Sequence, residues 1–340
     1  MSHTARPLCL DNWHHAKIPA DQVVAHMCRE SADKPMDRGN PDYSHATVMR
    51  DEVLAHLGVR DGGLYVDATL GGGGHSEAIL RECSGASVIG IDRDPLAIYA
   101  SSPRLARFGE RFRAIRGAFG DIAALLEMTG VGRVDGIVAD LGLSSAQLDD
   151  PARGMSFRSE GPIDMRMDPD GPDTALDLIA KLSQEELADT IYRFGEERRS
   201  RGVARRLKMA FEDGILHTTI DLRRAVVRAT GPARVGGVDP ATRAFQALRI
   251  AVNHELDQLA ALVEQASSVL LPGGIIAIIS FHSLEDRIVK HAFLDRGKWE
   301  RITKKPMLPS EDEKTANSRS RSAKLRAARR PADRNCEVRA

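Results

Sequence analysis

Cysteine is scarce in this sequence, and its four cysteines lie far apart, at Cys9, Cys28, Cys83 and Cys336. No C-x-x-C pair occurs among them, which argues against a zinc site and against a disulfide framework. The adjacent His14 and His15 have no further ligand residues nearby, so we predict no metal site. The cysteine pattern suits a reducing compartment, and we expect a cytoplasmic protein.

Long apolar runs are also missing. The longest, such as Ile275 to Ile279, are far too short to cross a bilayer. The first residues lack the apolar core of a signal peptide. We therefore expect no membrane anchor.

Neither sign of charge is in excess. The 48 Lys and Arg residues balance 48 Asp and Glu residues, so binding to a nucleic acid would depend on local basic surfaces. A content of 42% hydrophobic and 28% charged residues predicts a globular protein. The 340 residues accommodate two compact domains, or one large domain with an insertion. The sequence gives no oligomeric state.

The most distinctive stretch is a run of glycines that follows an apolar segment. Leu64 to Val66 lead to Asp67, then to Gly71 through Gly74, and then to a helix-like segment from Ser76. This order predicts a buried parallel strand that turns tightly into a helix. Glycines let a ligand approach the backbone, and the free N–H groups at a helix start can donate to it. The turn therefore predicts a nucleotide-binding site.

Strand and helix patterns alternate after the glycine run. Apolar runs at Val88 to Ile91, Phe112 to Ile115 and Val134 to Leu141 predict three further strands separated by helices. This repetition predicts a parallel sheet that is covered on both faces and binds ligands at the carboxyl ends of its strands. Four candidate ligand residues fall at those ends: Asp67, Asp92, Phe119 and Asp140. Position alone leaves open whether Phe119 is instead a core aromatic.

Two cofactors suit a unit of this kind. A dinucleotide fingerprint has the spacing G-x-G-x-x-G, whereas the glycines here are contiguous. Asp67 at the strand end suits a ligand with ammonium and sulfonium groups and no phosphate, which favours S-adenosylmethionine. Asp92 is placed to accept ribose hydroxyls and fits either cofactor. A nicotinamide-dependent oxidoreductase therefore stays an alternative, with the contiguous glycines and the Asp140 segment against it.

The alternation stops between about residues 150 and 238. Helical patterns replace it, separated by turns such as Asp168 to Pro172, and they predict an inserted helical domain. Its basic residues are Arg198, Arg199, Arg201, Arg205, Arg206, Lys208, Arg223, Arg224 and Arg228. The sequence leaves open whether they form a solvated face or contact phosphates.

The sheet resumes in the last third of the chain. A long helical pattern from Ala241 to Leu271 is followed by a turn at Pro272 to Gly274 and a strand at Ile275 to Ile279. Strands at Trp299 to Lys304 and Ser322 to Ala328 would complete a seven-stranded sheet with a closing antiparallel hairpin. The basic run around Arg319 to Arg330 offers a second basic surface.

Eight motifs occur in a fixed order along residues 44 to 330. They are HATV (45–48), DATLGGGGHS (67–76), IDRDP (91–95), DLGLSSAQLD (140–149), GPIDMRMD (161–168), YRFGEER (192–198), PATRAFQALRI (240–250) and SFHSLEDR (280–287). In these motifs and their order the chain resembles the bacterial 16S ribosomal RNA cytosine-N4 methyltransferases.

The resemblance implies a fold, a cofactor and a substrate. It implies a Rossmann-like class I methyltransferase fold in residues 43–149 and 239–340, with an inserted helical domain at 150–238 that recognises the substrate. Residues 1–42 lie outside it, and we expect a poorly ordered extension there. The implied reaction is methylation by S-adenosylmethionine of one cytosine in the decoding region of 16S ribosomal RNA, within the small ribosomal subunit.

The resemblance also implies the residues of the cofactor pocket. They are Gly73, Gly74, His75, Asp92, Phe119, Asp140 and Gln147. For His75, spacing alone leaves open whether it contacts the ligand or packs within the loop.

Asp140 is our candidate catalytic residue. The cytosine N4 amine is a poor nucleophile because its lone pair is conjugated with the ring, so an acceptor for its N–H would orient it and stabilise developing positive charge. Amino-methyltransferases place such a residue just after the fourth strand, where Asp140 stands. Ser144, Ser145 and His282 are secondary candidates for holding the base. A DNA amino-methyltransferase and a non-catalytic RNA-binding assembly factor remain alternatives.

Overall fold

The computed structural model describes residues 47–232 and 239–332. The predicted extension at 1–42, the histidine of the HATV motif and three of the four cysteines lie outside the described residues. The described chain divides into two units: residues 47–92, 98–141 and 260–332 form the first, and residues 93–97, 142–232 and 239–259 form the second.

A seven-stranded sheet organises the first unit. Its strands are β1 (Leu64–Asp67), β2 (Ser87–Asp92), β3 (Phe112–Arg116), β4 (Val134–Asp140), β5 (Leu270–Ser280), β6 (Glu300–Arg301) and β7 (Lys324–Arg329). They lie in the order β3-β2-β1-β4-β5-β7-β6, in which β1 to β5 are parallel and β7 is antiparallel to both of its neighbours. The sheet confirms the predicted class I methyltransferase architecture with its closing hairpin.

Helices flank these strands in the chain. Those wholly in the first unit are α1 (Arg50–Leu57), α2 (Gly74–Glu82), α4 (Ile122–Met128), α12 (Ser283–Ala292) and α13 (Glu311–Ala316). The chain passes between the units within α3 (Pro95–Leu105) and α11 (Glu255–Val269). In the part of the chain that the structure describes, no helix is long and apolar enough to span a membrane.

The second unit is helical, as predicted for the insert. Its helices are α5 (Ser145–Asp149), α6 (Ala175–Lys181), α7 (Gln184–Gly195), α8 (Ser200–Glu212), α9 (Thr219–Thr230) and α10 (Ala241–Asn253). Four of them begin at a capping box, in which the residue before the helix and the third helical residue bond each other's backbone N–H; Ser183 and Glu186 do so at α7.

Each unit has its own apolar core. In the first unit, fully buried side chains such as Tyr65, Val88 and Val138 come from strands whose neighbours bury both faces, which explains their continuous apolar runs. In the second unit, residues at helical spacing such as Val203 and Leu207 of α8 pack into a separate cluster.

The long helical pattern from Ala241 to Leu271 is not one helix. It breaks at His254, which takes the left-handed conformation (φ 51°) between α10 and α11. The buried side chain of Asn253 fixes the break, because its amide donates to the carbonyl of Met165 (2.7 Å) and accepts from the N–H of Met167 (2.7 Å). No glycine or proline marks the position, so local sequence did not reveal it.

Two predicted features of the closing strands were wrong in extent. Pro272 to Gly274 lies inside β5 rather than forming a turn before it, since the Gly273 N–H donates to the carbonyl of Arg330 (2.9 Å). The strand predicted at Trp299 to Lys304 is only two residues long. Beyond it, the N–H groups of Ile302 and Thr303 both donate to the carbonyl of Ala327 (3.1 Å), while the Ala327 N–H donates to the hydroxyl of Thr303 (3.0 Å).

Candidate active site

The glycine loop joins β1 to α2 in a strained, tightly packed turn. Gly71 and Gly73 have positive φ angles of 48° and 76°, which favour glycine. A Cβ on Gly73 would lie 2.8 Å from Cδ1 of Leu105, and one on Gly74 would overlap the Thr47 hydroxyl. Gly72, in contrast, has open space where a Cβ would stand. Glycine at positions 73 and 74 therefore lets the loop pack closely against Leu105 and Thr47.

Asp67 anchors the start of α2 from the end of β1. Its buried carboxylate accepts from the Ser76 N–H (3.1 Å) and hydroxyl (2.8 Å) and from the Thr69 N–H (3.3 Å). Burial raises the pKa of Asp67, and His75 and Ser76 partly oppose that rise. Asp67 therefore holds the loop through its bonds to Thr69 and Ser76 and does not face a ligand directly.

The raised pKa makes a prediction about stability. A carboxyl whose folded pKa lies above its unfolded value stabilises the fold fully below the unfolded pKa of about 4, and this contribution is lost as pH rises through the folded value. Asp67→Asn has no such titration. We therefore expect the free energy of unfolding of wild type, minus that of Asp67→Asn, to fall as pH rises above about 4. Urea unfolding of both proteins between pH 4 and 8 measures it; a difference that stays constant or grows would contradict the expectation.

Asp92, at the end of β2, also holds the loop. One carboxylate oxygen accepts from the Gly71 N–H at 2.8 Å. The same loop is tied to β2 by the Leu70 N–H, which donates to the Ile91 carbonyl (2.9 Å). Asp92 thus lies beside the glycine turn, at the sheet edge where ligands bind in parallel α/β proteins.

His75 and Asp140 face each other across the ends of the first and fourth strands. Nε2 of His75 lies 3.7 Å from Oδ2 of Asp140, and the Asp140 N–H donates to the Thr69 hydroxyl (2.7 Å). His75 is only 5% exposed, and within the described chain its Nε2 has no hydrogen-bond partner. A buried polar atom in this state is a candidate contact for a ligand.

Phe119 begins a short 3-10 helix directly after β3, where it is partly buried. The structure therefore brings six of the seven predicted cofactor residues to the carboxyl ends of β1 to β4 within one unit. These are Gly73, Gly74, His75, Asp92, Phe119 and Asp140.

The seventh residue, Gln147, lies in the second unit and is engaged there. Its side-chain oxygen accepts from the Ser144 N–H (3.2 Å) as part of a capping box on α5, and its Nε2 donates to Asp94 (2.9 Å). Asp94 is 1% exposed and also accepts from the Leu96 N–H (3.0 Å) and pairs with Arg153 (2.9 Å).

Sequence reasoning missed this network around Asp94. The IDRDP and DLGLSSAQLD motifs contain Asp94 and Gln147, but their pairing depends on a contact between distant parts of the chain. Arg153 extends it by donating to the carbonyls of Arg166 (3.0 Å) and Met167 (2.7 Å). The signal in the sequence was the second acid of IDRDP, two residues after Asp92.

The three secondary candidates lie at helix starts. Ser144 caps α5 with its hydroxyl, which accepts from the Gln147 N–H (3.2 Å), and Ser145 is the first residue of that helix. His282 precedes α12 at the end of β5, and its ring accepts from the Glu285 N–H (3.4 Å).

The site in the first unit fits S-adenosylmethionine. Exposed Gly72 leaves open space where a Cβ would stand, and Asp92 lies beside the glycine loop at the end of β2. The partly exposed carboxylate of Asp140 suits a cationic ligand, whereas the Asp67 carboxylate is buried and bonded to Ser76 and Thr69. Nε2 of His75 is available to a polar atom of the ligand. Nothing in this set is suited to a diphosphate except the loop N–H groups.

A model of the MraW methylase family matches residues 42–331. This chain belongs to the MraW methylase family. The membership confirms the predicted resemblance and the prediction of a methyltransferase that uses S-adenosylmethionine.

Individual relatives of this methylase agree along nearly their whole length. A protein named ribosomal RNA small subunit methyltransferase H from Sorangium cellulosum is 61% identical over 296 residues, which cover 87% of this chain and 93% of that protein. Proteins of the same name from a Picosynechococcus species and from Nitrobacter winogradskyi are 48% and 47% identical over 288 and 310 residues. These matches cover 84% and 85% of this chain and 97% and 92% of the relatives.

Proposed function

We propose that this methylase transfers the methyl group of S-adenosylmethionine to the N4 amine of one cytosine in the decoding region of 16S ribosomal RNA. The observation that carries the proposal is the 61% identity to a ribosomal RNA small subunit methyltransferase over 93% of that protein. The sulfonium group of the cofactor supplies an activated methyl, so the protein has chiefly to hold an amine in line with it.

Six residues of the first unit, with Asp140 among them, would hold the cofactor. Gly73, Gly74 and His75 would line one side, and Asp92 would accept the ribose hydroxyls. Phe119 would pack on the adenine. The cofactor contact predicted for Gln147 stays a prediction, since its amide caps α5 and bonds Asp94 within the second unit.

Asp140 would act on the amine. It is about a quarter exposed, lies at the carboxyl end of the central strand β4 and is held by the bond from its N–H to Thr69. A carboxylate there accepts an N–H of the amine, turns its lone pair toward the methyl group and stabilises positive charge as the bond forms.

The helical unit would grip the RNA backbone. Arg201 and Arg205 of α8 lie four residues apart, so they share one face of the helix, and both are exposed. No ion pair is recorded for either among residues 47–232 and 239–332. Free guanidinium groups on one helix face suit the phosphates of a single strand.

The double variant Arg201→Ala, Arg205→Ala tests this surface. A plot of log affinity against log salt concentration has a negative slope. Each lost phosphate contact should make that slope shallower by about 1. The measurement is filter binding of small ribosomal subunits at several salt concentrations.

A matched control removes two cations that are already neutralised. Lys181 pairs with Asp173, and Arg224 pairs with Asp221, in the same unit. The double variant Lys181→Ala, Arg224→Ala should keep the wild-type slope. If all three proteins have equal slopes, Arg201 and Arg205 of α8 do not contact RNA phosphates.

One assay separates the candidate substrates. The protein is incubated with methyl-labelled S-adenosylmethionine and, in parallel, with small subunits, naked 16S RNA or double-stranded DNA, and the labelled nucleoside is identified after digestion. We expect N4-methylcytidine from the small subunit. Label in DNA would favour a DNA amino-methyltransferase, and binding without transfer would favour an assembly factor.

The cytoplasmic location remains a prediction.

A further inference from the structure

The turn between β5 and α12 contains two buried polar atoms without partners. Within the described chain, the hydroxyl of Ser280 and Nε2 of His282 make no hydrogen bond, although Ser280 is fully buried and the His282 side chain is only 11% exposed. Each has lost water without gaining a replacement. Two such atoms within three residues indicate a turn that is built for a ligand.

Glu285 fixes the ring of His282 in place. The Glu285 carboxylate, 2% exposed, accepts from the N–H groups of Phe281 (2.8 Å) and His282 (3.2 Å). The Glu285 N–H in turn donates to Nδ1 of His282 (3.4 Å). Histidine is not among the usual helix caps, which are serine, threonine, aspartate and asparagine. A histidine at this position indicates that its other ring nitrogen, Nε2, binds a further group.

The capping bond also determines which ring nitrogen carries the proton. Because Nδ1 accepts a hydrogen bond, the proton of a neutral His282 is on Nε2, which makes Nε2 a donor. Nε2 lies 3.1 Å from a Glu285 oxygen but outside hydrogen-bond geometry, so its N–H remains available. The turn therefore presents an oriented donor.

This donor lies at the same edge of the sheet as Asp140. β4 and β5 are parallel neighbours, and Asp140 is in register with Ile279, three residues before His282. Both strands end at this edge, where parallel α/β sheets bind their ligands. A base whose amine meets Asp140 would have its ring within reach of the neighbouring strand end.

We infer that His282 is a specificity-determining residue that donates from Nε2 to the acceptor edge of the target cytosine, its O2 and N3 atoms, and that Glu285 positions it. The inference rests on the proposed function. Cytosine offers acceptors at both atoms, whereas uracil carries a proton on N3, so a donor here favours cytosine. Asp140 would then act on the amine and His282 on the ring beside it.

The variant His282→Asn separates this role from capping. Asparagine is a preferred cap and keeps an acceptor for the Glu285 N–H, but its side chain does not reach the Nε2 position. We expect the KM for small ribosomal subunits to rise about tenfold, as for a lost hydrogen bond to a base. The dissociation constant for S-adenosylmethionine and the melting temperature should stay at wild-type values.

Two further variants make the test decisive. Ser310→Ala removes the capping hydroxyl of α13, which accepts from the Glu313 N–H (3.1 Å), and reports what loss of a cap alone does. It should leave KM unchanged. Glu285→Gln should raise KM as His282→Asn does, and the double variant should be no worse than either single one, because both act through one contact.

Several outcomes would overturn the inference. If the His282→Asn variant has the wild-type KM, His282 serves only as a helix cap. If that variant binds S-adenosylmethionine more weakly, His282 is a cofactor ligand. If His282→Asn does not fold, a wild-type KM in Glu285→Gln would overturn it instead. Wild-type protein that fails to methylate small subunits in the same assay would refute the proposed function, a result distinct from these.

Discussion

The variant Gly73→Ala should bind S-adenosylmethionine at least tenfold more weakly than wild type. Gly73 has φ 76°, where an L-residue is strained by about 1–3 kcal/mol, and its Cβ would lie 2.8 Å from Leu105 and 3.1 Å from Ser101. The loop can relieve this only by moving away from Leu105 and Ser101, which displaces the backbone that would line the cofactor. Since 1.4 kcal/mol is tenfold in affinity, the loss is measurable by calorimetry.

Gly72→Ala is the matched control for the loop. Gly72 is the preceding glycine of the same run, is exposed, and has nothing within 4 Å of its Cβ position. Its variant should bind the cofactor within about twofold of wild type. Wild-type affinity in Gly73→Ala would show that the loop does not contact the cofactor, and equally weakened binding in both variants would show that strain at Gly73 is not the cause.

The variant Asp140→Ala should lose methyl transfer by about 10²- to 10³-fold in kcat, the effect of removing one preorganised electrostatic contact from a transition state. The amine would lose its only proposed acceptor. Single-turnover transfer from labelled cofactor to small subunits measures the rate, and calorimetry measures cofactor binding in the same preparation.

The distribution of the loss between kcat and cofactor affinity decides the role of Asp140. Asp140→Asn keeps the size of the side chain and an acceptor oxygen but not the charge, so its kcat should lie between those of wild type and Asp140→Ala. Wild-type cofactor affinity in both variants fits an orienting role. Weakened affinity with an unchanged kcat at saturating cofactor would make Asp140 a cofactor ligand alone.

The sequence predicted the sheet and its ligand-binding edge because both depend on local patterns. Apolar runs followed by an acid recur at Asp67, Asp92 and Asp140, and parallel strands place such positions at one edge. The order of elements then allowed little choice of topology, since crossovers between parallel strands are short and right-handed. The contiguous glycines also marked the turn from local sequence alone, because the backbone needs positive φ at Gly71 and Gly73.

What the sequence did not show depends on pairs of residues far apart in the chain. The capping amide of Gln147 meets Asp94, and Asn253 breaks a helix by bonding to Met165 and Met167. His75 was uncertain from spacing, and its lack of a partner became visible only once its burial was known. These contacts involve polar groups in tertiary positions, for which no sequence period exists.

The proposed function requires a glycine-lined site whose carboxylates suit a sulfonium-bearing nucleoside. The most direct test is calorimetric titration of the wild-type protein with S-adenosylmethionine, with its demethylated product, and with a nicotinamide dinucleotide. We predict saturable one-site binding of the first two and no heat from the third. Binding of the dinucleotide, or of none of the three, would contradict the central claim.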